Sequence, residues 1–207
     1  MTTGDPIDRI VSGSLDRVTV WPDGTVTSAA PLPAAVLPGS FNPVHEGHLL
    51  LAHVAADIVH APVVFELSVT NVDKPPLEVG EVRRRVAQFA SRARVELTRA
   101  PTFLEKSRLF PGATFVVGAD TAERLVATRY YGDDEERMLA ALQEIANLGC
   151  RFLVAVRTDA ASHVRSLADV AVPSRFAHLC TPIPESRFRL DTSSSDIRAR
   201  LQTTGGS

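Results

Sequence analysis

Several residue classes are scarce in the 207-residue chain, and each scarcity rules out a class of protein. Basic residues do not outnumber acidic ones: the formal net charge is -2, whereas a nucleic-acid-binding protein usually shows a basic surplus. Charged residues, histidines and a proline interrupt the most apolar window, residues 49–65, which rules out a membrane span there. Residues 1–8 contain acids and glycine rather than the basic stretch and apolar run of a targeting segment.

Cysteine is also scarce, with only Cys150 and Cys180 in the sequence. Both lie in apolar, strand-like surroundings without the spacing of metal ligands, which predicts buried thiols rather than a disulfide. Reduced thiols are typical of the cytoplasm, where we expect the protein. The remaining composition, 44% hydrophobic and 22% charged, is that of a globular protein with one well-filled core.

The order of the predicted elements indicates the fold. The predicted strands cover residues 35–37, 63–69, 95–98, 114–117 and 152–156, and the predicted helices cover residues 47–59, 81–93, 102–109, 119–126 and 135–148. Alternating strands and helices imply a parallel sheet covered on both faces, and hence a single doubly wound, Rossmann-like α/β domain. Ligands of such domains bind at the carboxyl ends of the strands.

The N-terminal region differs from this pattern. Residues 18–27 predict two short strands around a Pro22-Asp23-Gly24 turn, which is a hairpin signal. We interpret residues 1–33 as an N-terminal β-hairpin with a linker, and residues 34–207 as the α/β domain.

Residues 36–48, Val-Leu-Pro-Gly-Ser-Phe-Asn-Pro-Val-His-Glu-Gly-His, are the most informative stretch. A short strand leads into Gly39, where the missing Cβ lets a ligand approach the backbone. A helix begins near Gly47, and its N-terminus offers free N–H groups to a phosphate. His45 and His48 can donate hydrogen bonds to phosphate oxygens as charge accumulates in a transition state. Surface histidines or a structural metal site are the alternatives, with Glu46 as the only further metal ligand nearby.

A second phosphate-binding stretch lies near the other end, Thr192-Ser-Ser-Ser-Asp-Ile-Arg198. Hydroxyl residues are strong N-caps, so we expect a short helix to begin here. Arg198 would lie one turn inside that helix, within reach of a phosphate at its start. The alternative is a capped terminal helix with a solvated arginine.

Both stretches resemble motifs of the cytidylyltransferase-like nucleotidyltransferase superfamily. Residues 39–48 resemble its HxGH signature, most of all in nicotinamide and nicotinate mononucleotide adenylyltransferases. Residues 192–198 are similar to its ISSTxIR motif, with Thr192 in place of isoleucine and Ser195 in place of threonine. The resemblance extends from Val36 to Leu201. It implies catalytic roles for His45, His48 and Arg198, and nucleotide binding by Gly39, Ser40, Phe41, Gly47, Ser193, Ser194 and Ser195.

The resemblance also implies an acceptor side. Lys74 lies in a Pro-rich loop and resembles a substrate-binding lysine of the family, although such a lysine is otherwise usually solvated. Gly118 and Asp120 resemble the family's Gly-Ala-Asp segment, with a helix cap as the alternative for Asp120. Arg157 resembles the arginine that follows the fifth strand, with an ordinary surface position as the alternative.

One aromatic residue of the family pattern is missing from the sequence after the Gly-Ala-Asp segment. Pyridine-nucleotide adenylyltransferases commonly have a tryptophan after the Gly-Ala-Asp segment, where it stacks on the ring of the acceptor. Here the only tryptophan is Trp21, in the hairpin, and Tyr130 and Tyr131 are the nearest substitutes, unless they pack against the next helix.

The arginines at 83–85 point in three directions around a predicted helix, so we interpret them as solvated.

The resemblance implies an enzyme that transfers an adenylyl group from ATP to a phosphorylated acceptor and releases pyrophosphate. Nicotinamide or nicotinate mononucleotide is the first choice of acceptor, which would place the protein in NAD biosynthesis. The expected cofactor is Mg²⁺, bound mainly through the triphosphate and water rather than by protein ligands. ATP and the acceptor are the expected partners, and we expect binding to neither nucleic acid nor membranes. The sequence does not decide whether the protein forms a homo-oligomer. An ATP-binding phosphohydrolase and a non-catalytic nucleotide-binding module of the same fold are the alternative functions.

Overall fold

A computed structural model describes residues 4–73, 75–158 and 163–190 of the chain. The helices are α1 (Pro6–Ser12), α2 (Glu46–Val59), α3 (Val79–Ala87), α4 (Phe103–Leu109), α5 (Ala119–Ala122) and α6 (Glu135–Asn147). The strands are β1 (Arg17–Val20), β2 (Val26–Thr27), β3 (Ala35–Pro38), β4 (Val63–Ser68), β5 (Val95–Thr98), β6 (Thr114–Gly118), β7 (Arg151–Thr158), β8 (Val164–Arg165), β9 (Cys180–Pro182) and β10 (Arg189–Leu190). Short 3-10 helices cover Glu123–Leu125, Thr128–Tyr131, Leu167–Asp169 and Ser174–Leu179.

Eight of the described strands follow one another in the sheet in the order β10-β7-β6-β3-β4-β5-β1-β2, and β8 and β9 each pair with β7. From β7 to β5 the neighbouring strands are parallel. The chain winds outward from β3 in both directions, first through β4 and β5 and then through β6 and β7. The predicted doubly wound α/β fold is therefore confirmed. The switch point between β3 and its two neighbours is the place where this fold binds ligands.

The predicted hairpin is present and belongs to the edge of this sheet. Trp21 N donates to Thr25 O at 2.8 Å across the turn, and Gly24 takes a positive φ of 86° there. β1 pairs antiparallel with β5 as well as with β2. The boundary that we place between residues 33 and 34 stays a prediction.

Helix α1 was not predicted from the sequence, and its ends show why it forms. Asp5 accepts a hydrogen bond from Ile7 N at 2.8 Å as the N-cap, and Gly13 ends the helix with a φ of 87°. Ile7 and Ile10 are buried in the same core as the hairpin strand β1. Capping and burial together stabilise a helix of only seven residues.

Two other helices are shorter than predicted. α3 ends at Ala87 rather than at residue 93, and Ser91 takes a left-handed φ of 57° that a continuing helix does not allow. The helix predicted over residues 119–126 consists of α5 followed by a 3-10 helix.

Each face of the sheet carries a buried apolar cluster. Cys150 is buried in one of them, as predicted, whereas Cys180 is only half-buried, and both thiols are free. Burial raises the pKa of the Cys180 thiol to about 11.

Within the described ranges, no helix combines the length and the apolar character that a membrane crossing needs.

Candidate active site

A cavity of about 450 Å³ lies at the carboxyl ends of β3, β4, β6 and β7. Its wall includes residues from each of these strands, among them Pro38, Ser68, Gly118 and Arg157. This is the switch-point crevice of the fold, and its size is typical of a small-molecule site. His45 and His48 line the same cavity.

The turn between β3 and α2 is built around Phe41. The side chain of Phe41 is fully buried, and its backbone takes a positive φ of 44°. Its ring makes edge-to-face contacts with His48, Phe65 and Phe89, at centroid distances of 5.1, 5.4 and 5.2 Å. The ring therefore supports His48 from the core side, and the predicted nucleotide contact of Phe41 does not involve its buried side chain.

Gly39 is required for a packing reason that the sequence does not indicate. A Cβ at this position would lie 2.6 Å from two atoms of the Phe41 ring. Contacts that short do not occur between real Cβ atoms and their neighbours. The missing side chain thus makes room for Phe41. Gly39 also lines the cavity, and the close approach of a ligand to its backbone stays a prediction.

Helix α3 holds the turn in place from the outside. Gln88 donates from Nε2 to Phe41 O and accepts from Val44 N, both at 2.9 Å. Arg85 donates to Ser40 O at 2.9 Å. The side chain of Arg85 is only 11% exposed and lines the cavity, so the interpretation of this arginine as solvated is wrong.

The other two arginines of α3 make surface ion pairs. Arg83 pairs with Asp5 and Asp8 at 2.6 and 2.9 Å, and Arg84 pairs with Glu81 at 2.7 Å. Exposed pairs of this kind contribute about 0–1 kcal/mol to stability.

His45 and His48 form a stacked pair at the start of α2, with ring centroids 3.7 Å apart. His45 is the N-cap residue, and its backbone N–H donates to His48 Nδ1 at 3.2 Å. Because Nδ1 accepts, the neutral His48 ring carries its proton on Nε2, where it can serve as a donor.

Both imidazoles are held in the neutral form. Burial lowers the pKa of His48 to about 3, with smaller contributions from His45, which repels a second positive charge when it is protonated, and from the charge of Arg157. Burial and then Arg157 also lower the pKa of His45. In the free protein at neutral pH, the pair therefore offers uncharged N–H donors to an anion.

The depressed pKa of His48 predicts a pH-dependent stability. In the unfolded chain this residue binds a proton below about pH 6.5, whereas in the folded protein it stays neutral down to about pH 3. Its contribution is therefore fully present above pH 6.5 and is lost as the pH falls towards 3. Between about pH 7.5 and 5 we expect His48 to account for a loss of about 2 kcal/mol in the free energy of unfolding.

Denaturant titrations of the wild type and of His48→Ala would measure this loss as a difference in pH dependence. His53→Ala is the matched control, because His53 is exposed on the same helix. A wild type and a His48→Ala protein with parallel pH profiles would contradict the assignment.

Gly118, Asp120 and Arg157 meet at the carboxyl ends of β6 and β7. Arg157 donates to Asp120 Oδ2 at 2.7 Å. A Cβ at Gly118 would lie 2.7 Å from Asp120 Oδ1, so the glycine lets this carboxylate fold back over the end of the strand. Arg157 and Gly118 are among the described residues that line the cavity, and Asp120 is not. Asp120 thus holds Arg157 in position.

The two tyrosines proposed as aromatic substitutes have different surroundings. The hydroxyl of Tyr131 donates to Leu125 O at 3.0 Å, and burial raises its pKa to about 12. The hydroxyl of Tyr130 donates to Asp73 Oδ2 at 3.3 Å, and the guanidinium of Arg129 lies 4.8 Å from its ring. Both tyrosines line the cavity.

Sequence reasoning missed the pair Glu66 and Lys106 and the ring of Phe103, all of which line the cavity. Glu66 and Lys106 are only 1% and 6% exposed. The signal that was available is a single acid inside the otherwise apolar run Val63-Val-Phe-Glu-Leu67. A charge at such a position is costly unless it is paired, and the run itself does not show the partner.

The remaining predicted residues have varied positions. Ser40 is exposed beside the cavity, and Gly47 lies in the first turn of α2. Lys74, Ser193, Ser194, Ser195 and Arg198 lie outside the described residues. The last described residue is Leu190, whose Cα pairs with that of Arg157.

Comparison with known proteins identifies the family. The model of the cytidylyltransferase-like family matches residues 36–200. The chain belongs to the cytidylyltransferase-like family. A probable nicotinate-nucleotide adenylyltransferase from Synechococcus sp. (strain JA-3-3Ab) is 30% identical over 179 residues, which cover 82% of this chain and 83% of the relative. The chain is a nucleotidyltransferase, and the superfamily inferred from its two motifs is confirmed.

Proposed function

We propose that this nucleotidyltransferase transfers the adenylyl group of ATP to nicotinamide or nicotinate mononucleotide, as a step of NAD biosynthesis. The observation that carries the proposal is the neutral, stacked pair His45 and His48, which shares one switch-point cavity with Arg157. The similarity to a relative named as a nicotinate-nucleotide adenylyltransferase supports the choice of acceptor.

In this reaction a phosphate oxygen of the mononucleotide attacks the α-phosphorus of ATP in line. The new P–O bond forms as the bond to the β-phosphate oxygen breaks, and pyrophosphate leaves. Such chemistry depends on positioning and on stabilisation of charge, so it needs no covalent enzyme intermediate. The N–H groups of His45 and His48 and the guanidinium of Arg157 are the described donors that would stabilise the transferred phosphate.

Two further groups complete the proposed site. Ser194, Ser195 and Arg198 would hold the β- and γ-phosphates of ATP. Mg²⁺ would neutralise the triphosphate and be held mainly by phosphate oxygens and water. This fits the cavity, because the two described carboxylates that line it already have partners: Glu66 is paired with Lys106, and Asp73 accepts from Tyr130 and lies 3.7 Å from Arg124.

The test is a screen for pyrophosphate release with four nucleoside triphosphates, Mg²⁺ and a set of phosphorylated acceptors, followed by chromatography for the dinucleotide. We expect ATP with a pyridine mononucleotide to give pyrophosphate and the dinucleotide. Release of orthophosphate without dinucleotide would indicate a phosphohydrolase instead. ATP binding without turnover over the whole panel would indicate a non-catalytic module.

The proposed role of Arg198 predicts a selective loss of affinity. Arg198→Ala should weaken ATP binding by about 1.5–3 kcal/mol, the usual range for a hydrogen bond to a charged group. AMP has no β- and γ-phosphates, so its affinity should hardly change. Titration calorimetry with both nucleotides measures the difference, and equal losses for ATP and AMP would show that Arg198 does not contact the outer phosphates.

A further inference from the structure

One cation of the cavity wall differs from the others in its hydrogen bonds. Three cationic side chains of the wall donate to acceptors of the protein itself: Lys106 to Glu66 and Ala100 O, Arg85 to Glu81 and Ser40 O, and Arg157 to Asp120. The fourth, Arg124, makes no hydrogen bond with a described residue. The donors of its guanidinium are therefore available to a ligand.

Arg124 lies where a ligand of the switch-point crevice can reach it. It comes shortly after the carboxyl end of β6, one of the two strands beside β3. Its side chain lines the cavity and is 55% exposed. The guanidinium carbon is 5.8 Å from the centre of the Tyr130 ring, so an aromatic face supports it. A guanidinium in this place can donate two parallel hydrogen bonds to a phosphate.

A carboxylate from the other neighbour of β3 faces Arg124. Asp73 lies beyond the carboxyl end of β4 and also lines the cavity. Its Oδ2 atom is 3.7 Å from Arg124 Nη1, which is beyond hydrogen-bonding distance, and accepts from the hydroxyl of Tyr130 at 3.3 Å. Exposed ion pairs contribute little to stability, so another anion can replace Asp73 beside Arg124 easily. Asp73 would then keep the hydroxyl of Tyr130.

We infer that Arg124 binds a phosphate group of a substrate and exchanges its contact with Asp73 for that phosphate. Both substrates of the proposed reaction carry phosphate: ATP in its triphosphate, and the mononucleotide as the group that attacks. A phosphate brings more negative charge than a carboxylate and offers three acceptor oxygens, which favours the exchange. The inference rests on the proposed function and adds to it a binding residue that lies in neither of the two motifs.

Arg124→Ala tests the residue with each substrate separately. Titration calorimetry in the presence of Mg²⁺ uses ATP and nicotinamide mononucleotide, whose only anionic group is its phosphate, and shows which substrate supplies the phosphate. We expect the affinity for at least one of them to fall about tenfold or more, the usual effect of losing a hydrogen bond to a charged group. Arg124→Lys keeps the charge but cannot form two parallel bonds, so it should recover only part of that affinity.

Arg165→Ala is the matched control for this substitution. The side chain of Arg165 is 47% exposed and pairs with Glu123, next to Arg124, and it is not among the described residues that line the cavity. The control should bind both ligands as the wild type does. Unchanged affinities in Arg124→Ala, or equal losses in Arg124→Ala and Arg165→Ala, would overturn the inference.

Asp73→Asn tests the exchange. Asparagine keeps the shape and an acceptor for Tyr130 but removes the competing charge. The substrate that loses affinity in Arg124→Ala should therefore bind to Asp73→Asn about two- to fivefold more tightly. In the double variant with Arg124→Ala this gain should disappear, because Asp73 acts through Arg124. A gain of the same size in the double variant, or weaker binding by Asp73→Asn alone, would exclude the exchange.

Failure of the proposed function can be told apart from failure of the inference. If the wild type binds ATP but forms no dinucleotide with either mononucleotide, the proposed acceptor is wrong. A loss of ATP affinity in Arg124→Ala would then still support the role of Arg124, and an unchanged ATP affinity would overturn it. If the wild type forms the dinucleotide while Arg124→Ala binds both substrates unchanged, the proposed function stands and the inference falls.

Discussion

His48→Ala is expected to lower turnover by about 100-fold or more, the usual cost of removing one donor that stabilises charge in a transition state. The neutral His48 ring is fixed in position, since Nδ1 accepts from His45 N at 3.2 Å and Phe41 packs against the ring. The N–H on Nε2 is thus preorganised and needs little rearrangement when charge develops on the phosphate. Steady-state rates of pyrophosphate release measure the effect.

The same substitution removes a cap from α2, so stability has to be measured alongside activity. Losing the partner of the His45 N–H should cost about 1 kcal/mol, which leaves the protein folded. His53→Ala, at an exposed position on the same helix, should retain the wild-type rate. A folded His48→Ala protein with unchanged turnover would limit His48 to supporting the turn.

The fold was predictable from the sequence because its central strands are local apolar runs. The strand predicted over residues 95–98 has the same bounds in the structure, and the strands around it differ by a few residues. The place of the hairpin was not predictable, since β1 pairs with β5 through partners such as Val18 and Leu97, far apart in sequence. Pairing at that distance depends on the tertiary fold and produces no local pattern.

The residues of the candidate site were also predictable only where a local sequence signal marks them. His45 and His48 were identifiable because a turn followed by a helix start is a local signal, and the structure brings both to the cavity. Glu66 and Lys106 are 40 residues apart, and neither has a motif of its own. The packing role of Gly39 was not predictable, because it depends on where the ring of Phe41 turns, which a positive φ at Phe41 decides. The predicted contact of Gly39 with a nucleotide stays a prediction.

Gly39→Ala is therefore expected to damage both stability and catalysis. The added Cβ would lie 2.6 Å from the ring of Phe41, which is fully buried and cannot move without displacing Phe65 and Phe89. Overpacking of this kind costs about 1–3 kcal/mol. Relief by movement of the turn would shift His45 and His48, and a displacement of about 1 Å at a reacting centre can lower turnover by about 100-fold.

Gly80→Ala is the matched control for this substitution. Gly80 lies in α3, and a Cβ there would meet no atom within 4 Å, so alanine should stabilise the helix by about 0.5–1 kcal/mol and leave turnover unchanged. Thermal denaturation and pyrophosphate release, measured on both variants, separate the two glycines. Wild-type stability with reduced ATP affinity in Gly39→Ala would instead show that the space above Gly39 belongs to the ligand, because the new methyl group would then displace the nucleotide rather than Phe41.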